Sequence, residues 1–94
     1  MTVSIVIPNW NGLAKLKANL PAVLKVKGVS EIIIGDDAST DDSVTFLATN
    51  YPQIKLVKRL KNGGFSANVN SSVKVATGDL VYLLNTDALP QPDS

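Results

Sequence analysis

The chain has 94 residues, which is enough for one small domain, or for part of a larger one, near the lower end of the usual size range. It has neither cysteine nor histidine, which excludes disulfides, thiolate metal sites and the commonest general base, so any metal ion must be held by oxygen. The formal net charge of +1 is divided into blocks too small for nucleic-acid binding, and no apolar run approaches the roughly 18 residues of a membrane span.

Four apolar runs predict β-strands. The first, Val3–Ile7, is rich in β-branched residues and should end at Pro8, because proline cannot donate to a strand ladder. The second, 31–35, is too uniformly apolar for a strand with one wet face, which favours a parallel strand covered on both sides. Residues 54–58 and 80–84 give the third and fourth strands, and the fourth is also expected to be buried.

Helices are predicted between the strands. Asn11 is expected to cap the first helix, which starts at Leu13, Pro21 to kink it or split it in two, and Gly28 to end it. Apolar residues at helical spacing mark the second helix, which should end before Pro52.

The third helix is predicted over residues 65–76. We expect its buried face to be formed by its apolar residues, Ala67, Val69, Val73 and Ala76. Strands that alternate with helices at short connections indicate an α/β fold with a Rossmann-like βαβαβαβ order and a mainly parallel sheet. Because the chain stops just after the fourth strand, residues 1–94 are expected to be a truncated domain.

Polar residues follow each predicted strand. All strands of a parallel sheet present their carboxyl ends to one edge, so the loops 8–12, 36–41, 61–64 and 85–90 should converge there. They contain carboxylates, amides, glycines and one tryptophan. The remaining cations indicate solvated surfaces, with Arg59 and Lys61 near a strand end as weaker exceptions.

Two acidic sites stand out at this edge. Asp36 and Asp37 directly follow the second strand, and a carboxylate there either accepts from a sugar hydroxyl or a ring N–H, or caps the next helix. We expect one structural and one ligand-binding role, with Asp37 binding the ligand. Asn85 and Asp87 are oxygen donors at a spacing that can grip a divalent ion shared with phosphate, although the same pattern occurs in Asx turns.

Two other groups offer contacts of different kinds. Asn62, Gly63 and Gly64 open the third helix, where free N–H groups favour an anion, although a tight turn with positive φ explains the glycines equally well. They match neither a dinucleotide fingerprint nor a P-loop. Trp10 either stacks on a base or simply covers its own loop.

The ordered motifs resemble the N-terminal, nucleotide-binding half of a family 2 glycosyltransferase with the GT-A fold. Residues 3–12 (VSIVIPNWNG) resemble the opening strand and loop of that family, and residues 31–42 (EIIIGDDASTDD) resemble its strand ending in Asp-Asp, a small residue and Ser-Thr-Asp. Residues 62–68 (NGGFSAN), 76–79 (ATGD) and 83–87 (LLNTD) are similar to the rhamnosyltransferase-like branch, in which Asn-x-Asp replaces Asp-x-Asp. The similarity covers essentially the whole chain.

This resemblance implies a donor of the UDP- or dTDP-sugar type and a divalent cofactor, Mg²⁺ or Mn²⁺. Asp37 would contact the base or ribose, and Asp87, with Asn85 in doubt, would hold the metal. The remaining donor-binding residues are expected to be Pro8, Asn9, Trp10, Asn11, Asp36, Asn62, Gly64 and Asn68. Family members of this kind invert the anomeric centre with a carboxylate base, which we expect downstream of this chain.

Several consequences remain expectations at this point. The acceptor, a glycan or a lipid-linked group, would bind the missing part, so this chain alone should be inactive. The alternative function is a non-catalytic module that binds a nucleotide or sugar phosphate with the same fold. No secretory leader is visible, which favours a cytoplasmic location with a membrane-associated parent left open, and the exposed truncation surface leaves homo-oligomerisation open.

Overall fold

The computed structural model describes residues 2–84, which form a four-stranded sheet with helices on both faces. The elements alternate in the order β1 (Val3–Asn9), α1 (Leu13–Val23), β2 (Glu31–Asp36), α2 (Ser43–Asn50), β3 (Lys55–Lys58), α3 (Phe65–Val73) and β4 (Leu80–Leu83). The strand order is β3-β2-β1-β4, and every neighbouring pair is parallel. The predicted α/β class and parallel βαβαβαβ order are confirmed.

The strand order contains a reversal at β1. The chain moves outward from β1 through β2 to β3, and the connection through α3 then returns across the sheet to place β4 on the other side of β1. Because such crossovers are right-handed, connections that run in opposite directions place their helices on opposite faces. The carboxyl ends of β1 and β4 therefore flank a topological switch point, where open α/β sheets usually form their ligand crevice.

One face of the sheet, covered by α1 and α2, holds the continuous apolar core. Side chains alternate along each strand, so that β1 contributes Ile5 and Ile7 to this face and β2 contributes Ile34. The other buried members of the cluster are Leu16, Leu20, Val23, Leu47 and Ile54. Burial of these side chains is the main source of stability for this small domain.

The opposite face of the sheet carries the fully buried Val6 and Ile33, but the side chains that α3 buries against it are polar, and here the sequence prediction is wrong. The buried residues of α3 are Asn68 and Ser72, whereas Val73 is exposed. The reason is Gly35 on β2, whose missing side chain leaves room for α3 to come close enough for Asn68 Nδ2 to donate to the Gly35 carbonyl at 2.8 Å. Polar side chains can form such bonds to the strand, and an apolar face could not.

The first strand and first helix also differ from expectation. β1 runs through Pro8 to Asn9, because proline lacks a donor only on the side facing β4, while on the other side Asp37 N–H donates to the Asn9 carbonyl at 2.9 Å. α1 continues through Pro21 as one helix and ends at Val23, well before Gly28. Its N-cap position is Gly12, and the side chain of Asn11 does not cap it.

The other predicted elements need smaller corrections. α3 ends at Val73, three residues before the predicted end. All four residues of β4 are exposed in the described part of the chain, so the expectation of a buried strand is not met there. Within residues 2–84, no helix has the length and apolar character needed to cross a membrane.

Candidate functional site

Asp36 and Asp37 point to opposite faces of the sheet. Asp36 is the last residue of β2, and Asp37 continues the ladder with β1 through its backbone. Because successive side chains alternate in direction, Asp36 lies on the α1/α2 face and Asp37 on the α3 face. Both carboxylates are buried, and each organises a separate hydrogen-bonded cluster.

Asp36 belongs to a group that we call the Ser39 cluster, formed by Asn9, Asn11, Asp36 and Ser39. Asn9 Nδ2 donates to Asp36 Oδ1 at 3.0 Å, and Ser39 Oγ donates to the same oxygen at 2.6 Å. Ser39 Oγ in turn accepts from the Asn11 backbone N–H at 2.9 Å. The loop after β1 and the loop after β2 are thus fixed to each other.

Asp41 extends this arrangement to the helix termini. Its carboxylate accepts from the backbone N–H of Leu13 at 3.2 Å and from that of Ser43 at 3.0 Å, which are the first residues of α1 and α2. Burial raises the pKa of Asp41, but the bonds from the Ser43 side chain and from the Ser43 and Leu13 amides outweigh it, so the net pKa lies below the ordinary value. This carboxylate therefore takes the capping role that the sequence suggested for Asn11.

Two residues in the loops after β1 and β2 have positive φ without being glycine. Asn11 has φ of 51°, and its Oδ1 accepts from the Thr40 N–H at 2.7 Å and the Asp41 N–H at 3.2 Å. Ala38, directly after the two aspartates, has φ of 62°. Side chains with Cβ disfavour this region, so the turn after Asp37 stores backbone strain at the edge of the crevice.

Asp37 belongs to a second group, which we call the Arg59 cluster, formed by Asp37, Arg59, Gly63 and Gly64. Arg59 Nε lies 2.7 Å from Asp37 Oδ1, and the Asp37 side chain is only 4% exposed. Asp37 Oδ2 accepts from the Gly64 N–H at 2.9 Å, and the Gly63 N–H donates to both carboxylate oxygens at 3.1 and 3.2 Å. The carboxylate thereby occupies the amino end of α3.

The environment of Asp37 keeps it ionised. Burial raises its pKa, but the N–H donors of Gly63 and Gly64 and the charge and hydrogen bond of Arg59 together hold the net pKa below the ordinary value. The predicted anion cradle at Gly63 and Gly64 thus has its N–H groups engaged by an internal carboxylate, and they are not free as the sequence argument assumed. The ligand roles assigned to Asp37, Asn62 and Gly64 stay predictions.

The remaining predicted side chains differ in exposure. Asn9 and Asn68 are almost fully buried, and the Oδ1 atom of each lacks a hydrogen-bond partner, which makes both amides able to accept one more hydrogen bond. Pro8 is buried at the end of β1, whereas Trp10 is 57% exposed at the same edge.

The predicted metal ligands Asn85 and Asp87 lie outside the described residues. Within residues 2–84, no group of three or more acidic side chains is placed to hold a metal ion.

Sequence reasoning missed Ser39 and Arg59 as organising residues of the site. Ser39 enters the sequence prediction only as part of the Ser-Thr-Asp motif, although it binds both Asp36 and the loop after β1. Arg59 is the one arginine in the sequence and directly follows β3. A lone arginine at the carboxyl end of a strand, on the face opposite the apolar core, is the signal that could have identified it.

The family model described as "Glycosyl transferase family 2" matches residues 4–94. Among curated proteins, the dolichol-phosphate mannosyltransferase of Pyrococcus furiosus is 31% identical over 100 residues, covering 99% of this chain and 28% of that protein. The chain spans 11% to 28% of the length of the curated relatives that it matches.

Solved structures agree with this fold. The mannosyltransferase PcManGT from Pyrobaculum calidifontis, in complex with GDP-Man and Mn²⁺, has a TM-score of 0.79 and 25% identity, covering 93% of this chain and 28% of that chain. S. aureus TarS has a TM-score of 0.81 and 24% identity, with 93% of this chain and 28% of the TarS chain covered, which supports the fold alone. With its parallel sheet, its strand-end clusters and a family match over nearly its whole length, the chain belongs to glycosyl transferase family 2.

Proposed function

We propose that this chain is the donor-binding part of a glycosyltransferase and that it binds a nucleoside-diphosphate sugar at the carboxyl edge of the sheet. The observation that carries the proposal is the pair of clusters built on Asp36 and Asp37, which hold the ends of β1, β2 and β3 in fixed positions beside the switch point. A family 2 member with polar groups prearranged at this edge is suited to hold the donor.

The proposed contacts fall mainly on the nucleoside part of the donor. Pro8, Asn9 and Trp10 line the base, Asn11 is a further donor contact, and Asp37 accepts from the base or ribose. The exposed indole of Trp10 supports this assignment, since an aromatic side chain can stack on a base. The other proposed donor contacts are Asp36, Asn62, Gly64 and Asn68.

The proposed cofactor is Mg²⁺ or Mn²⁺, held by Asp87 with Asn85. The Mn²⁺ bound to the P. calidifontis mannosyltransferase supports divalent metal use in this fold. Such an ion supplies charge stabilisation to the leaving nucleoside diphosphate. The chain's own contribution is to bind and orient the nucleoside through groups fixed by the two clusters.

The proposed reaction of the whole protein is transfer of the sugar to an acceptor hydroxyl with inversion. Direct displacement needs a carboxylate base that takes the proton of the attacking hydroxyl, and Asp36 and Asp37 are already engaged in the two clusters. We therefore place the base and the glycan or lipid-linked acceptor in a part of the protein beyond this chain.

Nucleotide binding to the chain tests this function directly. Calorimetric titrations with UDP, dTDP, GDP and ADP, each with and without Mn²⁺, should find one nucleotide that binds and that needs the metal. Guanosine belongs in the panel because the P. calidifontis relative binds GDP-Man. A uridine or thymidine preference would agree with the expected donor.

The matched variants are Asp87→Asn and Asp93→Asn, two changes of the same kind within seven residues. Asp87→Asn should remove the metal-dependent part of binding, and Asp93→Asn should leave it unchanged. Equal effects of the two changes, or the same affinity with and without Mn²⁺, would contradict the metal role. A folded chain that binds no nucleotide would contradict the donor-binding function.

A further inference from the structure

Arg59 connects three parts of the site that the chain brings together from distant positions. Its backbone N–H donates to the Asp36 carbonyl at 2.8 Å, which extends the pairing of β3 with β2 by one residue and directs its side chain to the α3 face. The guanidinium group then reaches Asp37 through Nε at 2.7 Å. Its Nη1 donates to the Ala67 carbonyl at 3.2 Å and to Ser71 Oγ.

The guanidinium also fixes the loop before α3. A Cβ atom on Gly63 would overlap Arg59 Nη2, so the backbone of this glycine lies directly against the guanidinium. The same glycine donates its N–H to Asp37. Arg59, Asp37 and the Gly63–Gly64 backbone thus form one unit, and a shift of any member moves the others.

Arg59 fixes the position of the Asp37 carboxylate. A carboxylate this deeply buried requires a charge partner, because an unpaired buried charge is strongly unfavourable. Without Arg59, only the N–H donors of Gly63 and Gly64 would remain. Rotation of the carboxylate toward water would then lower its free energy. The planar fork of arginine binds Asp37 and α3 at once, which the single ammonium of lysine cannot reproduce.

We propose that Arg59 is a positioning residue for donor binding, acting through Asp37: it holds the carboxylate and the Gly63–Gly64 backbone in the arrangement that meets the nucleoside. This role rests on the proposed function, because the contact between Asp37 and the donor is itself part of that proposal. Arg59 itself need not touch the ligand, because Nε and Nη1 are already committed to the protein.

The test compares Arg59→Gln and Arg59→Lys with Lys58→Gln, which removes the same charge from the adjacent exposed residue. The probe is whichever of UDP, dTDP, GDP and ADP the wild-type chain prefers, titrated in the presence of Mn²⁺. Loss of a charge-assisted hydrogen bond predicts roughly tenfold to hundredfold weaker binding for Arg59→Gln. Arg59→Lys should lose less, because it keeps the charge, and Lys58→Gln should stay within about twofold of wild type, as expected for an exposed residue that belongs to neither cluster.

A double-mutant cycle with Asp37→Asn separates positioning from a purely structural role. If Arg59 acts through Asp37, Arg59→Gln should weaken binding little further once Asp37 is changed. A structural role independent of Asp37 predicts that the two losses multiply. Thermal melts of each variant give the stability change separately, and if Arg59→Gln does not fold, Arg59→Lys carries the same cycle.

The outcomes distinguish the two proposals. A folded Arg59→Gln chain with wild-type affinity, or losses that multiply across the cycle, would overturn the positioning role while leaving donor binding intact. A folded wild-type chain that binds none of the four nucleotides would overturn the proposed function, and the role of Arg59 with it. Coupled losses together with an unaffected Lys58→Gln would support both.

Discussion

The two faces of the sheet are built from different chemistry. Between the sheet and α1/α2 lie aliphatic side chains, whereas α3 is joined to the sheet by hydrogen bonds of Asn68 and Arg59, beside the buried aliphatic side chains of Val6 and Ile33. Apolar burial is non-directional and tolerates small displacements, but hydrogen bonds require defined distances and angles. The apolar face therefore provides most of the stability, and the polar face fixes the positions of atoms at the crevice.

This division explains why the two aspartates have separate roles in the structure. Asp36, on the apolar face, is joined to the loops at the ends of β1 and β2. Asp37, on the polar face, is joined to the loop before α3. These two adjacent aspartates thus connect both faces of the sheet to the same edge. A change on the apolar face should act on that edge through Asp36, and a change on the polar face should act through Asp37.

The largest expected change in stability comes from truncating a buried side chain on the apolar face. Leu20→Ala removes a fully buried side chain of α1 and should lower the free energy of unfolding by about 2–5 kcal/mol. Urea titration followed by circular dichroism measures this change. Leu24→Ala, at a 37% exposed position just after the same helix, is the control and should cost less than about 1 kcal/mol. Similar costs at both positions would argue against the core as described.

On the polar face, the sharpest change is Gly35→Ala. The added Cβ would lie 2.5 Å from Asn68 Oδ1 and closer still to Ser72 Oγ, so α3 would have to move away from β2. Overpacking of this kind should cost about 1–3 kcal/mol. Because the movement also displaces the Arg59 cluster, nucleotide affinity should fall beyond what the lost stability explains.

The companion variant is Gly35→Ala with Ser72→Ala, which removes one of the two obstructing atoms. Partial recovery of the melting temperature would confirm that close packing of α3 at Gly35 causes the loss. A Gly35→Ala chain as stable as wild type would show that α3 is not held tightly to the sheet.

The difference between the faces also decides what sequence could predict. Periodic apolar residues and parallel topology were sufficient for the elements and for the edge where the loops converge, because both follow from hydrophobic patterning. The buried face of α3 was predicted wrongly, since Asn68 and Ser72 resemble solvent-facing residues until Gly35 is placed beneath them. Arg59 was singled out only as a cation near a strand end, and its role was not predicted, because its partners lie after β2 and on α3 and no local pattern links them.

A pH-dependent effect is expected at the other edge of the polar face. The Glu31 carboxylate forms an ion pair with Lys55 Nζ at 2.6 Å, and it accepts hydrogen bonds from Ser4 Oγ at 2.5 Å and from the Thr77 N–H at 2.5 Å. Lys55, with Ser4 and Thr77, lowers the pKa of Glu31 from 4.5 to about 2. Since the folded-state pKa is depressed, this stabilisation is present above about pH 4.5 and is lost as the pH falls toward 2.

Glu31→Gln should therefore lose less stability than wild type between pH 5 and pH 2.5. We expect a difference of about 1–2 kcal/mol, reduced by solvent screening because the Lys55 side chain is 48% exposed. Urea midpoints across that range measure it. Lys55→Gln keeps the bonds from Ser4 and Thr77, so it should reduce the loss of stability in acid only in part. Parallel plots of the urea midpoint against pH for wild type and Glu31→Gln would contradict the assignment of this loss to Glu31.

The smallest expected effect is at Ala38, the hinge between the two clusters. Its φ of 62° costs a residue with Cβ about 1–2 kcal/mol, and glycine avoids this cost but loses about 0.5–1 kcal/mol of chain entropy on folding. Ala38→Gly should thus raise the free energy of unfolding by about 0.5 kcal/mol. Ala48→Gly, at an exposed position inside α2, has no strain to relieve and should be destabilising by about 1 kcal/mol. Opposite signs for these two identical changes, measured by thermal melts, would locate the strain at the turn that joins the two faces; equal destabilisation would show that the turn after Asp37 is relaxed.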